Sequence, residues 1–520
     1  MSFVSLEFFI FIIISLVAYY LLPKKTQWIV LLTVSYLFFL SGGIRTVSFL
    51  LFTTTVTYFT ARYLSYCNEL NEIAKLRGYK LLSKKLKVEK RQVISIGIVA
   101  NFAILFFLKY YRYILDSIDV IMKSDKLSAV NIILPIGISF YMFQSVGYVI
   151  DVYRNKYKAE KNFGKFALFV SFFPQVIQGP ISRFSDLAHQ LFAERQFSFD
   201  NMKDGLQLAM WGYFKKLIIA DRITVVVNLV FNNYKDYGGS IILVSVILYC
   251  IQLYCDFSGG IDIARGMAKM FGIDVVENFR RPIFATSLAD FWRRWHITLG
   301  AWMKDYLFYP LALSKPFIKL GQFTRKVVKG KLGQVIPVSI ATFVVYFVIG
   351  IWHGSGAKYI VFGLWNSIII TGSLLLEPAY DSLKKKLKLK DSNKLFYLFK
   401  IVRTACIVLV GRYITRAIGL AEGLEMLKLT FTNFAGEQLV NGTLLNLGIT
   451  LGDFIIIAVG VIVLLVVEAF AEKGKSLREG LNKKGFALQW SVIVVYMVVM
   501  LVFGLCRGNY IASEFIYSRF

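Results

Sequence analysis

The stretch FVSLEFFIFIIISLVAYYLL (Phe3–Leu22) decides what kind of chain this is. It is interrupted only by Glu7 and closed by Pro23, Lys24 and Lys25, and a helix needs about 20 apolar residues to cross a bilayer core. No basic residues precede it and no small-residue cleavage site follows, so it reads as a retained span rather than a secretory signal. Working outward, further apolar segments follow at Thr26–Leu40, Thr46–Tyr66, Val93–Tyr110, Ile132–Val152, Phe166–Ile177, Leu206–Phe231 and Ile241–Phe257. The series continues with Val335–Ile351, Tyr359–Leu376, Leu395–Ile418, Phe454–Phe470 and Leu488–Cys506. Several are too short to cross alone or are broken by Pro or Gly, and such segments survive at membrane depth only inside protein or along a water-filled cavity. The expectation is an all-α polytopic membrane protein of about 11–13 transmembrane or re-entrant helices, forming a single integral membrane domain over residues 1–520.

Composition excludes the alternatives. Of 520 residues, 57% are hydrophobic and 18% charged, against roughly 25% charged in soluble globular chains. Disorder needs low hydrophobicity and high charge density. The net charge of +28 invites an anionic partner, but a nucleic-acid binder would not thread its basic residues between long runs of Ile, Val, Phe and Leu. Those residues collect in Cys67–Gln92, Tyr153–Lys165, Lys384–Lys390 and Lys473–Lys484, whereas Asp116–Lys126 is mixed in sign. The positive-inside rule makes the basic stretches cytoplasmic. Counting back through the spans places the N-terminus outside and Lys24 and Lys25 inside. The partners are the bilayer and its anionic lipids, and no nucleic acid. Cys67, Cys250, Cys255, Cys406 and Cys506 are scattered without metal or redox spacing. No metal site is expected, and nothing resembles a phosphate loop, a zinc site or a serine triad.

The chain has three histidines, the side chain suited to acid–base work near neutrality. His353 sits in GIWHGSG (Gly350–Gly356), at the edge of two apolar segments, where glycines let backbone approach closely. An imidazole there suggests a polar cavity, which makes His353 a candidate catalytic base, the alternative being a structural histidine that caps a helix end. His296 lies in SLADFWRRWHITLGAWMKDYLFYPL (Ser287–Leu311). Ser287 and Asp290 have capping-box spacing, so a helix starts there. Phe291, Trp295, Thr298, Trp302 and Tyr306 then form one aromatic stripe. Asp290, Arg294 and Asp305 share a second face, and Arg293, His296, Gly300 and Lys304 a third. Such a helix lines an internal funnel or lies in the membrane interface. His189 reads as a solvated loop residue. Asp256 and Asp262, in YCDFSGGIDIARG, and Lys216, Asp221 and Arg222, in GYFKKLIIADRI, put charges inside apolar spans, where they pair with one another and clamp the bundle.

These motifs together resemble the membrane-bound O-acyltransferase family, bacterial alginate O-acetyltransferase type. The resemblance is carried by LPIGISFYMFQSVGYVIDVYR (Leu134–Arg154), FFPQVIQGPISRF (Phe172–Phe184), GYFKKLIIADR (Gly212–Arg222), Tyr254–Leu311 and GIWHGSGAKYIVFGLWN (Gly350–Asn366). The tail EFIYSRF (Glu514–Phe520) is similar too, and the best-matched core is 134–366. Gly260 and Ile261 depart from the pattern, as does the lysine-rich stretch Pro316–Lys331. The resemblance implies helices ringed around a central tunnel, with His353 as general base and His296 as the second histidine. It implies a substrate path near Trp295, Arg293, Arg294, Trp302, Lys304, Asp305, Trp352 and Asn366. It further implies no bound cofactor, an acyl thioester donor (acetyl-CoA or an acyl carrier) as co-substrate, a polysaccharide acceptor and an extracytoplasmic acetyltransferase or esterase-like partner. Location in the plasma membrane follows. Two other readings are D-alanyl transfer to teichoic acid from a carrier-protein thioester, and a non-enzymatic polysaccharide or lipid transporter.

Overall fold

The regular elements are helices. In a computed structural model that describes residues 1, 3–122, 137–176, 179–328, 330–354, 356–505 and 515, the one β-type contact among the described residues is an isolated antiparallel bridge between Phe279 and Trp295. Among the described residues, six helical stretches are long and apolar enough to cross a bilayer: Lys80–Tyr111, Gly239–Met270, Lys331–His353, Ala357–Leu375, Leu451–Glu472 and Phe486–Gly504. The other expected segments are shorter or more polar. Leu6–Leu21 is an apolar helix of 16 residues, Thr26–Leu40 becomes Gln27–Leu40, and Phe166–Ile177 divides into Phe163–Ser171 and Phe173–Val176. The start of Ile132–Val152, Ser355, Cys506 and all of the EFIYSRF tail except Phe515 lie outside the described residues.

Local chemistry sets the boundaries. Ser5 caps Leu6–Leu21 by accepting from the Phe8 N–H, and Pro23 ends the segment because it cannot continue the hydrogen-bond ladder. Thr450 and Asp453 form a reciprocal capping box at the start of Leu451–Glu472. The basic stretch Cys67–Gln92, expected as a linker, is mostly helical. Ile44–Leu76 and Lys80–Met122 carry helix on both sides of a turn at Arg77–Tyr79. Lysines do not oppose helix formation, and backbone bonds satisfied along the helix need no lipid contact, so apolar content alone could not locate these ends.

The chain divides into two compact units. One comprises Met1–Ala209 with Ile261–Val276, the other Met210–Gly260 with Glu277–Phe520. In the first, aromatic side chains dominate the core: Phe3, Phe8, Phe38 and Phe173 pack together, and Tyr148 is ringed by Phe166, Phe169 and Phe184. The second holds both candidate histidines. There the helices Lys331–His353 and Ala357–Leu375 make a tight hairpin. A Cβ on Gly350 would lie 2.6 Å from the Gly363 Cα and 2.6 Å from the Tyr359 carbonyl oxygen, so only glycine allows this crossing.

Candidate active site

His353 is the last residue of Lys331–His353, half-buried at the mouth of the hairpin. Its ring lies 4.8 Å from Trp352 and 5.8 Å from Phe362. A Cβ on Gly354 would run into the Tyr359 ring at 2.3 Å, so the chain turns directly beneath that side chain.

His296 arrives from a different element. Ser287 accepts from the Asp290 N–H at 3.1 Å and starts a helix, as its spacing predicts. The Asp290 carboxylate, however, takes the Thr286 N–H. The single helix expected over Ser287–Leu311 does not form. Leu288–Arg294 ends, Trp295 turns extended and bridges Phe279, and His296 adopts a left-handed conformation with φ +48°. Ile297–Met303 then begins, followed by a π-helical turn at Lys304–Phe308. The five-residue aromatic stripe is therefore cut in two. Trp295 stacks on Phe291 at 5.5 Å, and Trp302 meets Tyr306 at 5.1 Å.

The break aims His296 inward. It is 1% exposed, edge-on to Phe257 at 5.0 Å and to Trp352 at 6.1 Å. Trp352 thus touches both histidine rings, which the sequence separates by 57 positions. Asn278 holds the ring. Its Oδ1 accepts from the Thr298 N–H at 3.0 Å and hydroxyl at 2.8 Å, and lies 3.3 Å from His296 Nδ1. An N–H can only donate, so the Thr298 amide fixes this atom as the amide oxygen, and His296 Nδ1 must carry a proton to bond it. Burial pushes the imidazole down to about 3, so the ring is neutral and Nε2 holds the lone pair.

The remaining predicted residues divide. Trp292, two residues from Arg294, donates to Asn366 Oδ1 at 3.0 Å and packs on Tyr346 and Phe362, docking Leu288–Arg294 onto the His353 hairpin. Asn366 is buried and also donates to the Phe362 carbonyl at 2.8 Å. Arg294 bonds Asp290 at 3.2 Å and Glu472 at 2.9 Å, and Arg281 joins Glu472 at 2.6 Å. The Arg293 side chain is 73% exposed. Lys304 is exposed beside Tyr309, and Asp305 half-buried. Lys216 is fully buried between Asp256 at 2.7 Å and Asp221 at 2.9 Å, with the Phe515 ring over its ammonium at 4.5 Å. Arg222 pairs with Asp453 at 3.1 Å, and Asp262 with Arg265 at 3.5 Å. These charges pair as membrane-depth charges must. His189 lies on the short helix Phe184–Leu191, not in a loop, and is exposed. Sequence reading missed Asn278, Glu472 and Arg412. The guanidinium of Arg412 lies 5.3 Å from the Trp295 ring. Among the described residues no group of His, Cys, Asp and Glu is arranged to hold a metal.

Residues 160–325 match the membrane-bound O-acyltransferase family. A protein of Pseudomonas aeruginosa named "Probable alginate O-acetylase AlgI" is 31% identical over 86% of this chain and 78% of its own length. A protein of the same name from Pseudomonas syringae pv. tomato is 33% identical over 69% of this chain and 63% of its own. The teichoic acid D-alanyltransferase of Bacillus subtilis is 26% identical over 55% of this chain and 69% of its own. With a buried neutral imidazole and a second histidine joined through one tryptophan inside an apolar all-helical body, the chain belongs to the membrane-bound O-acyltransferase family.

Proposed function

We propose that this acyltransferase moves an acetyl group from a cytoplasmic thioester to hydroxyls of an envelope or extracellular polysaccharide. The observation that carries the reading is the ring contact of Trp352 with both His296 and His353. It gathers the two histidines of the best-matched motifs around one point. His353 takes the proton of the acceptor O–H as the oxygen attacks the thioester carbonyl. The carbon–sulfur bond breaks, the ester forms, and the proton passes to the departing thiolate. Such general-base catalysis contributes about 10²–10⁴ in rate. His296, neutral and held by Asn278, orients or polarises the acyl group. The donor is acetyl-CoA or an acyl carrier. An extracytoplasmic esterase-like partner carries the group onward, and a tunnel from each membrane face leads to His353. The chain lies in the plasma membrane with its N-terminus outside.

Acetyl is preferred to D-alanyl because the similarity to the alginate O-acetylases covers more of the chain at higher identity than that to the D-alanyltransferase. Mild alkaline release from envelope polysaccharides of cells with and without the protein tests this: loss of acetate is expected, and loss of D-alanine with unchanged acetate contradicts it.

A further inference from the structure

Against Trp295 the second unit forms a cavity of about 290 Å³. Its walls come from Gly239–Met270, Lys394–Arg416, Leu451–Glu472 and the turn Pro282–Phe284. From Ile401 to Arg412 one wall runs along a helix for about 16 Å at 1.5 Å per residue. Its lining is aliphatic and aromatic save for few polar groups. Ile247, Ile283 and Leu465 line it and are 41%, 48% and 37% exposed. Two of these sit on helices apolar enough to span a bilayer, so the cavity opens toward lipid.

Two charged side chains stand in the lining, Arg412 and Glu468. Arg412 is 7% exposed, and among the described residues no carboxylate lies within 4.0 Å of its guanidinium. Its neighbours are neutral: the Cys250 thiol, Trp295 at 5.3 Å and Phe362 at 6.0 Å. Glu468 also lines the cavity, but its Oε1 accepts from the Tyr254 hydroxyl at 2.5 Å and it makes no ion pair with Arg412. Aromatic faces attract a cation, yet a buried guanidinium with no carboxylate within 4.0 Å among the described residues remains costly, and Arg is always protonated. An oxyanion within reach of the guanidinium would offset that cost.

We propose that this cavity binds an amphiphile from the bilayer, one alkyl chain along the apolar wall and its oxyanion, a carboxylate or phosphate, on Arg412. Both the fork geometry of the guanidinium and the length of the wall suit that ligand. An occupant there lies against Trp295, whose sequence neighbour is His296. The binding reading stands independently of the reaction proposed above.

The test is quenching of tryptophan fluorescence in the purified, detergent-solubilised protein by doxyl-labelled stearate, its methyl ester, and doxyl-labelled phosphatidylglycerol and phosphatidylcholine. Saturable quenching by an anionic probe, at least tenfold tighter than by its neutral counterpart, is expected. Stearate over its ester identifies a free carboxylate, and phosphatidylglycerol alone identifies a phospholipid; either supports the site. Arg412→Gln should remove the preference, Val408→Phe should remove saturation by filling the wall, and Trp295→Phe should remove most of the signal. Equal affinity for acid and ester with no phosphatidylglycerol binding, or a preference that survives Arg412→Gln, overturns the proposal. If Arg412→Gln does not fold, the acid-against-ester comparison on the unaltered protein decides alone.

Discussion

His296 takes a backbone conformation that few residues other than glycine adopt, and the neighbouring chain repays that strain. The Ile297 N–H donates to the Asn278 carbonyl at 2.9 Å, and the Arg280 N–H to the Arg294 carbonyl at 2.8 Å. The Asn278 side chain then fixes the imidazole. On the proposed reaction, Asn278 is therefore a positioning residue. Asn278→Ala should lower kcat about 10- to 100-fold, the scale of a misplaced group, with KM changed little; steady-state kinetics on the purified protein measure the split. A matched rise in KM with kcat intact would assign Asn278 to substrate binding. The two histidines were legible in the sequence because an imidazole in an apolar chain needs a reason to be there. Asn278 was not: it stands in an aperiodic stretch, and nothing local marks an amide that acts 18 residues away.

Periodicity explains which elements were legible. Apolar runs set by the bilayer declare themselves, and six became helices of spanning length. The helix over Ser287–Leu311 failed because 3.6-residue periodicity continues on paper through a residue that turns left-handed in space. The Asp290–Arg294 pair was visible as an i,i+4 spacing, whereas its third member, Glu472, lies 178 residues away. That carboxylate binds Arg281 and Arg294 together, and all three side chains are between 20% and 27% exposed. Glu472→Gln keeps the shape and removes the charge. Given partial solvent screening, it should cost about 1–2 kcal/mol, within the range for charge-assisted hydrogen bonds. Thermal melting in detergent reads this, and an unchanged melting temperature would reduce the clamp to a surface contact.

Across the whole molecule, the +28 divides into two populations. One is lysine and arginine exposed around the helical turn at Arg77–Tyr79 and at Lys385 and Lys386, the charges on which the proposed orientation rests. The other is buried and paired, as with Lys216 between two aspartates, or buried with no carboxylate within 4.0 Å among the described residues, as with Arg412. The proposed orientation makes a direct prediction. In a cysteine-free background, Arg77→Cys should react with an impermeant maleimide only after permeabilisation, and an N-terminal epitope should be accessible on intact spheroplasts. The opposite pattern would invert the topology. The central claim is that His353 removes the acceptor proton. Its most direct test is the O-acetyl content of envelope polysaccharide in cells expressing His353→Ala at normal membrane abundance. The account predicts a loss of at least about 10²-fold in transfer, so acetylation falls to background; acetylation at the unaltered level would contradict it.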